Sequence, residues 1–385
     1  MFKNVKIKRI LKKYIFPVLT LVNKIVPKDD SIIFLYSANK GVQHNLLPLR
    51  DFLIENNYDK KYKIVCGIES IKYRDNGYNV KYIGRIHSIF YFMKSKHVYY
   101  TTGQIPIKPS KSQLVIHLDH GTTSIKTGNL LTKINNGNDF YFTYYTIPSK
   151  LYIPVVKKEF LCDESNIKIN GEPVTDILFK KHKKYNLGNY TKIGLWAPTF
   201  RQSDYLGYDD SGHEELLPMF NKDDYYILNE VLKEKNIKLI VKLHPLQNLD
   251  GYDNLHLSNL DIYSDQDYLD NGFELYRMMK QMDFILADYS SVYLEYMLLD
   301  RPIGFVIPDI EEYKEKRGFI FENVENEYMP GKKIKTQYDL FEFLNDIAEN
   351  RDEFCEKRRA LCEKIHYFRD GDNCKRCLEL GGISL

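Results

Sequence analysis

The chain has 385 residues, 43% of them hydrophobic and 28% charged, with a net charge of +3. That length suits about two domains with cores of their own, the composition excludes a disordered chain, and so small a positive excess argues for no nucleic-acid partner. There is no apolar run of 18 or more residues, no internal repeat and no low-complexity tract, and the six cysteines are scattered rather than arrayed as a disulfide framework, which favours a reducing compartment.

The charge is concentrated at one end. Lys3, Lys6, Lys8, Arg9, Lys12, Lys13, Lys24 and Lys28 all precede the first acid, Asp29, and flank an apolar run, Tyr14 to Val22, too short to span a bilayer. Residues 1–28 therefore read as a basic amphipathic segment for an anionic membrane surface, where each Lys or Arg adds about 1 kcal/mol.

From Ser31 strand and helix patterns alternate. Strands are expected at 31–36, 62–68, 80–83, 98–101 and 113–118, with helices over 46–57 and 86–94, the rhythm of a parallel sheet covered on both faces. The strand ending at Leu118 delivers Asp119-His120-Gly121-Thr122, which places a candidate general base beside a glycine turn that a substrate can approach. Residues 167–176 form a last strand and turn, and the Lys-, Asn- and Gly-rich stretch 180–189 reads as a linker, dividing the chain into 29–183 and 184–385.

The second part repeats the rhythm. A strand over 192–197 ends in Pro198-Thr199-Phe200-Arg201, and after a long polar loop a helix covers 223–235. A strand over 237–243 ends in His244 with Lys242 beside it, a helix covers 273–281, and the strand at 283–287 ends in Asp288-Tyr289-Ser290-Ser291. A helix is expected to start at the two serines and run to Arg301-Pro302. Arg201, His244, Ser290 and Ser291 thus end parallel strands on one rim, where ligands of open α/β sheets bind, and form an anion site without a Walker A or G-x-G-x-x-G motif. Near the C-terminus Cys374 and Cys377 have C-x-x-C spacing, but no second pair completes a zinc site, so they are expected to line a helix.

Taken in order, His120-Gly121-Thr122, Gly171-x-Pro173 with Asp176, Ala197-Pro198-Thr199-Phe200-Arg201, Lys242-Leu243-His244-Pro245, Asp288-Tyr289-Ser290-Ser291, Asp300-Arg301-Pro302 and Lys316-Arg317-Gly318-Phe319 resemble the CDP-glycerol glycerophosphotransferase family of teichoic-acid synthesis, and the short chain is most similar to its primase-type members. The resemblance implies a GT-B architecture, two Rossmann-like domains with parallel sheets and the active site in a cleft between them. It also implies a peripheral protein on the cytoplasmic face of the membrane that moves glycerol phosphate from CDP-glycerol to a lipid-linked saccharide acceptor, with no metal and no cofactor. His120 would then be the base for the acceptor hydroxyl and His244 a contact to the donor phosphates, with Gly121, Thr122, Lys126, Thr199, Arg201, Lys242, Asp288, Ser290 and Ser291 binding substrate. Where the family usually has an aromatic residue before His-Gly, this chain has Asp119. The alternatives are a GT-B glycosyltransferase using a nucleotide sugar, a ribitol-phosphate transferase, and a non-catalytic polymer-binding protein.

Overall fold

The computed structural model describes residues 11–384, apart from 76, 78, 102, 120, 131–139, 200–201, 204–207, 210–215, 245–246, 248–254 and 256. The chain divides into two compact units: one comprises residues up to Thr122, Gly128–Phe179 and His366–Leu385, the other Thr123–Thr127 and Lys180–Ile365.

In the first unit β1 (Asp29–Tyr36), β2 (Lys63–Gly67), β3 (Lys81–Ile83), β4 (Ser95–Tyr100), β5 (Leu114–His117), β6 (Tyr144–Ile147) and β7 (Ile167–Ile169) form one sheet in the order β3-β2-β1-β4-β5-β6-β7, every pairing parallel. Its helices are α1 (Phe16–Ile25), α2 (Leu46–Glu55), α3 (Arg85–Lys94), α4 (Ile153–Phe160) and α5 (Asp176–Phe179). The period-2 geometry of β1 explains why its buried part, Ile32 to Tyr36, is apolar throughout. Ile33 and Leu35 face Leu46, Leu49 and Leu53 of α2, whereas Ile32, Phe34 and Tyr36 face Phe16 of α1 and Tyr91 and Phe92 of α3. β6 and α4 were not among the expected elements, because Thr143-Tyr144-Tyr145-Thr146 shows neither a polar alternation nor an aliphatic run.

The second unit contains β8 (Lys192–Trp196), a short antiparallel pair β9 (Gln202–Ser203) and β10 (Tyr208–Asp209), β11 (Ile237–Lys242), β12 (Leu260–Tyr263), β13 (Phe284–Ala287), β14 (Ile303–Val306) and β15 (Lys332–Ile334). Its main sheet runs β12-β11-β8-β13-β14-β15, again wholly parallel. The helices are α6 (Asp224–Glu234), α7 (Asp265–Asp270), α8 (Leu275–Gln281), α9 (Val292–Tyr296), α10 (Ile310–Lys316), α11 (Val324–Glu327), α12 (Gln337–Ala348) and α13 (Cys355–Ile365).

The last helix, α14 (Asn373–Leu380), belongs to the first unit, unlike the sequence division, which gave everything after residue 183 to the second. Its buried Cys374, Cys377 and Leu378 join the core that contains Ile33, Leu35 and Ile116, so the C-x-x-C spacing is that of one helix face. The crossing falls between Phe179 and Lys180, four residues before the expected boundary.

Each sheet reverses its strand order once, between β1 and β4 in the first and between β8 and β13 in the second. Such a reversal opens a crevice at the carboxyl ends of the two strands.

Candidate active site

At the second reversal β8 and β13 are hydrogen-bonded neighbours, so the loops that follow them meet. Asp288 joins the two. Its buried carboxylate accepts the Thr199 N–H at 2.8 Å and the Thr199 hydroxyl at 2.5 Å from the β8 loop, and the Ser290 N–H at 3.2 Å from its own loop. With these bonds made, Asp288 holds the two loops together. Its neighbour Tyr289 is buried, stacks on Tyr313 of α10 at 3.8 Å and donates its hydroxyl to Asp309 at 2.9 Å, which fixes the loop from the other side.

The helix after the serines is shorter than its apolar run implies: α9 has five residues, followed by a single 3-10 turn at Met297–Leu299, and Asp300 ends it with φ +50°. All five α9 residues are buried, which is why the segment reads as a longer helix in sequence. Ser291 sits at the N-cap without a side-chain cap bond, and Ser290 Oγ accepts only a long 3.4 Å bond from Val292 N–H. Both serines are partly exposed, so hydroxyls expected to cap the helix are accessible from outside instead.

β11 lies on the other flank of β8 and delivers His244 two residues past its end. Burial, then the Lys242 charge, lowers the His244 pKa against the opposing pull of Asp265 and Asp288, which holds the ring neutral at pH 7. His244 therefore offers a hydrogen bond rather than a positive charge. The depressed pKa also favours the folded state above the ordinary imidazole value of 6.5, a contribution lost as pH falls through the lowered one. Lys242 is committed elsewhere, paired with Asp265 at 2.8 Å, and its ammonium lies 5.5 Å from the Tyr268 ring centroid. Lys126 is exposed on the second unit's Thr123–Thr127 segment, held by its N–H to Gly318 O at 3.1 Å. Arg201 lies outside the described residues, as does His120.

In the first unit β5 ends at His117, three residues before His120. His117 itself is a core residue: Nε2 is 2.8 Å from Thr101 O, and the ring stacks on Tyr100 at 4.4 Å and meets Tyr145 edge-on at 4.7 Å. Asp119 adopts φ +54° and accepts a hydrogen bond from the Tyr145 hydroxyl. Gly121 has φ +138°, which only glycine adopts without strain, and Thr122 is buried with a hydroxyl that has no partner among the described residues.

The residue that ties this turn down was not legible in sequence. Asn45, fully buried just before α2, donates to Leu118 O at 2.9 Å and Asp119 O at 3.3 Å and accepts from Val174 N–H at 2.9 Å. Asn45→Ala is expected to cost about 1–3 kcal/mol of stability and to lower kcat while donor KM stays near wild type; urea unfolding and steady-state kinetics check both.

Two of the sequence motifs have structural explanations. Gly171 is glycine because a Cβ there would stand 2.2 Å from Asn373 Oδ1, and Asp176 caps α14 by accepting the N–H groups of Asn373 at 3.0 Å and Cys374 at 2.7 Å. In Asp300-Arg301-Pro302, Asp300 pairs with Arg358 at 3.1 Å and Arg359 at 2.5 Å, and Arg301 donates to the carbonyls of Lys280 and Met282 at 2.8 and 2.5 Å.

Residues 18–380 match the family model described as CDP-glycerol:poly(glycerophosphate) glycerophosphotransferase. The chain is 27% identical over 244 residues to the teichoic acid glycerol-phosphate primase of Bacillus subtilis (strain 168), covering 62% of this chain and 56% of that protein. It is 26% identical over 245 residues to the teichoic acid ribitol-phosphate primase of Bacillus spizizenii, covering 61% and 58%. The chain thus spans less than two thirds of the length of these relatives. Among solved structures, the wall teichoic acid polymerase TagF is similar over 99% of this chain and 95% of that one, with a TM-score of 0.75 at 19% identity; a variant of it has also been solved after soaking with CDPG. At that identity the likeness shows the fold, which is GT-B, as the sequence motifs implied.

Proposed function

Since the chain belongs to the CDP-glycerol:poly(glycerophosphate) glycerophosphotransferase family, we propose that it moves glycerol phosphate, or the related ribitol phosphate, from its CDP-activated form to a lipid-linked saccharide during synthesis of teichoic acid or a related surface polymer. The observation that carries this reading is the Asp288 brace, which joins Thr199 to the Ser290 loop at the crevice of the second sheet and leaves the serine hydroxyls for a pyrophosphate.

In the reaction the acceptor hydroxyl oxygen attacks the phosphorus that bears the polyol, the bond from that phosphorus to the bridging oxygen breaks, and CMP leaves with the electron pair. His120 takes the acceptor proton. The serine hydroxyls, the neutral His244 ring and Arg201 bind the pyrophosphate oxygens as charge moves onto the leaving group, in a transfer whose catalysis is mostly positioning and electrostatics. Incubation with CDP-glycerol, CDP-ribitol and UDP-sugars in the presence of a lipid-linked disaccharide, with nucleotide release followed, tests the reading. CMP release from a CDP-polyol with a matching mass gain in the acceptor is expected; release from a nucleotide sugar alone would replace it with glycosyl transfer.

The acceptor's lipid anchor calls for a membrane surface, and α1 offers one. Among the described residues no helix is long and apolar enough to cross a membrane. However, Tyr14, Val18, Leu21 and Ile25 lie at helical spacing and are exposed, Ile25 by 81%, whereas Phe16 and Asn23 on the same segment are buried. Lys13 and Lys24 accompany that stripe. This stripe supports the reading of a peripheral protein, which the proposed reaction would put on the cytoplasmic face of the cell membrane. Because Phe16 belongs to the core, the exposed positions are the ones to change: Leu21→Glu with Ile25→Glu should weaken binding to anionic vesicles at least tenfold, and wild-type binding by that variant would remove α1 from the membrane contact.

A further inference from the structure

The second unit contains a cavity of about 440 Å³ that none of the steps above uses. It falls within the range of small-molecule sites, roughly 300–1,000 Å³. One wall is the segment carrying Lys126, which pairs antiparallel with the turn after α10: Ile125 bridges Phe319, Lys126 N–H donates to Gly318 O at 3.1 Å, and Ile320 N–H donates to Ser124 O at 2.9 Å. The other walls run from α10 to α11.

Two features define its chemistry. The lining carries two cations, Lys126 and Lys314, and three anions, Glu311, Glu322 and Glu325, whereas a phosphate site gathers donors alone. Behind them lie Phe319 and Phe321, whose rings are fixed by packing: Phe319 is 5.8 Å from both Tyr289 and Tyr313, and Phe321 stacks on Tyr328 at 4.0 Å. Carboxylates accept hydroxyl protons, ammonium groups donate to hydroxyl oxygens, and aromatic rings cover the C–H faces of a polyol or sugar ring. Tyr289, on which Phe319 packs, directly precedes Ser290, so one aromatic contact links the cavity lining to the loop of the proposed phosphate cradle.

We propose that this cavity is a subsite for the uncharged, hydroxyl-rich part of a substrate. The inference rests on the transferase reading for its source, which is either the saccharide of the acceptor or the polyol of the donor. Both present the same chemistry, and kinetics separate them.

The test uses the full chain and the double variant Glu311→Ala, Glu322→Ala, both exposed positions. Saturation-transfer NMR with ribitol and with N-acetylglucosamine as probes should show transfer from the wild type to the probe and its loss in the variant. With substrates, KM should rise about tenfold, as expected for two lost hydrogen bonds, for the acceptor if the saccharide occupies the site and for CDP-glycerol if the polyol does. Unchanged transfer with both KM values at wild type overturns the subsite while leaving the transferase reading intact, and loss of CMP binding in the variant overturns it in favour of a nucleotide site. If the wild type cleaves no CDP-polyol, yet the variant alone loses the NMR signal, the subsite stands and the transferase reading falls.

Discussion

His120→Ala is expected to lower kcat for glycerol-phosphate transfer by at least 10²-fold, within the range for a lost general base, with CDP-glycerol binding close to wild type. Three observations single out this histidine. His117, on the same strand end, is enclosed by Tyr100 and Tyr145 and bonded to Thr101 O, so it is not available as a base. His244 belongs to the other unit and is held neutral beside Lys242, where the proposed reaction has it bind the donor. The turn that carries His120 is anchored on its N-terminal side by Asn45 and by the Asp119–Tyr145 hydrogen bond, and continues through Gly121, the investment in positioning that a base needs. In the wild type kcat should fall on the acid side as the base becomes protonated. His120→Ala turning over at the wild-type rate, with the acid limb unchanged, would assign the proton to another group.

The second large effect is expected at Asp288, and it should appear in both stability and donor binding. Asp288→Ala removes the acceptor for two backbone N–H groups and the Thr199 hydroxyl, all bonded to a buried carboxylate. A loss of about 3 kcal/mol in urea unfolding follows from charge-assisted bonds of this kind, together with at least a tenfold rise in KM for CDP-glycerol as the β8 and β13 loops separate. Asp288→Asn preserves the shape and one acceptor oxygen, so it should fall between the two. An alanine variant with reduced stability but unchanged donor KM would make Asp288 a fold residue only.

Much of this architecture could be read from periodicity. β1, β2, β8, β11 and β13 fall within two residues of their expected bounds, because buried parallel strands are short continuous apolar runs bounded by polar turns. That Thr199, His244 and Ser290 end strands was likewise legible. Their adjacency was not: sequence carries no strand order, and only the arrangement β11-β8-β13 makes three strand ends neighbours. α9 reads too long because its residues are buried on every side, so no polar face marks where the helix stops. Asn45 was missed for the same kind of reason, since a polar residue before a helix looks like a cap, and its real partners, Leu118, Asp119 and Val174, are distant in sequence. The return of α14 to the first unit leaves a trace only in the spacing of Cys374 and Cys377.

The donor pyrophosphate is proposed to lie in the crevice between β8 and β13. A crystal structure of the His120→Ala variant with CDP-glycerol tests it most directly. Pyrophosphate oxygens within about 3 Å of the Ser290 and Ser291 hydroxyls and of a His244 ring nitrogen are the predicted result, and a nucleotide bound away from all three residues would contradict it.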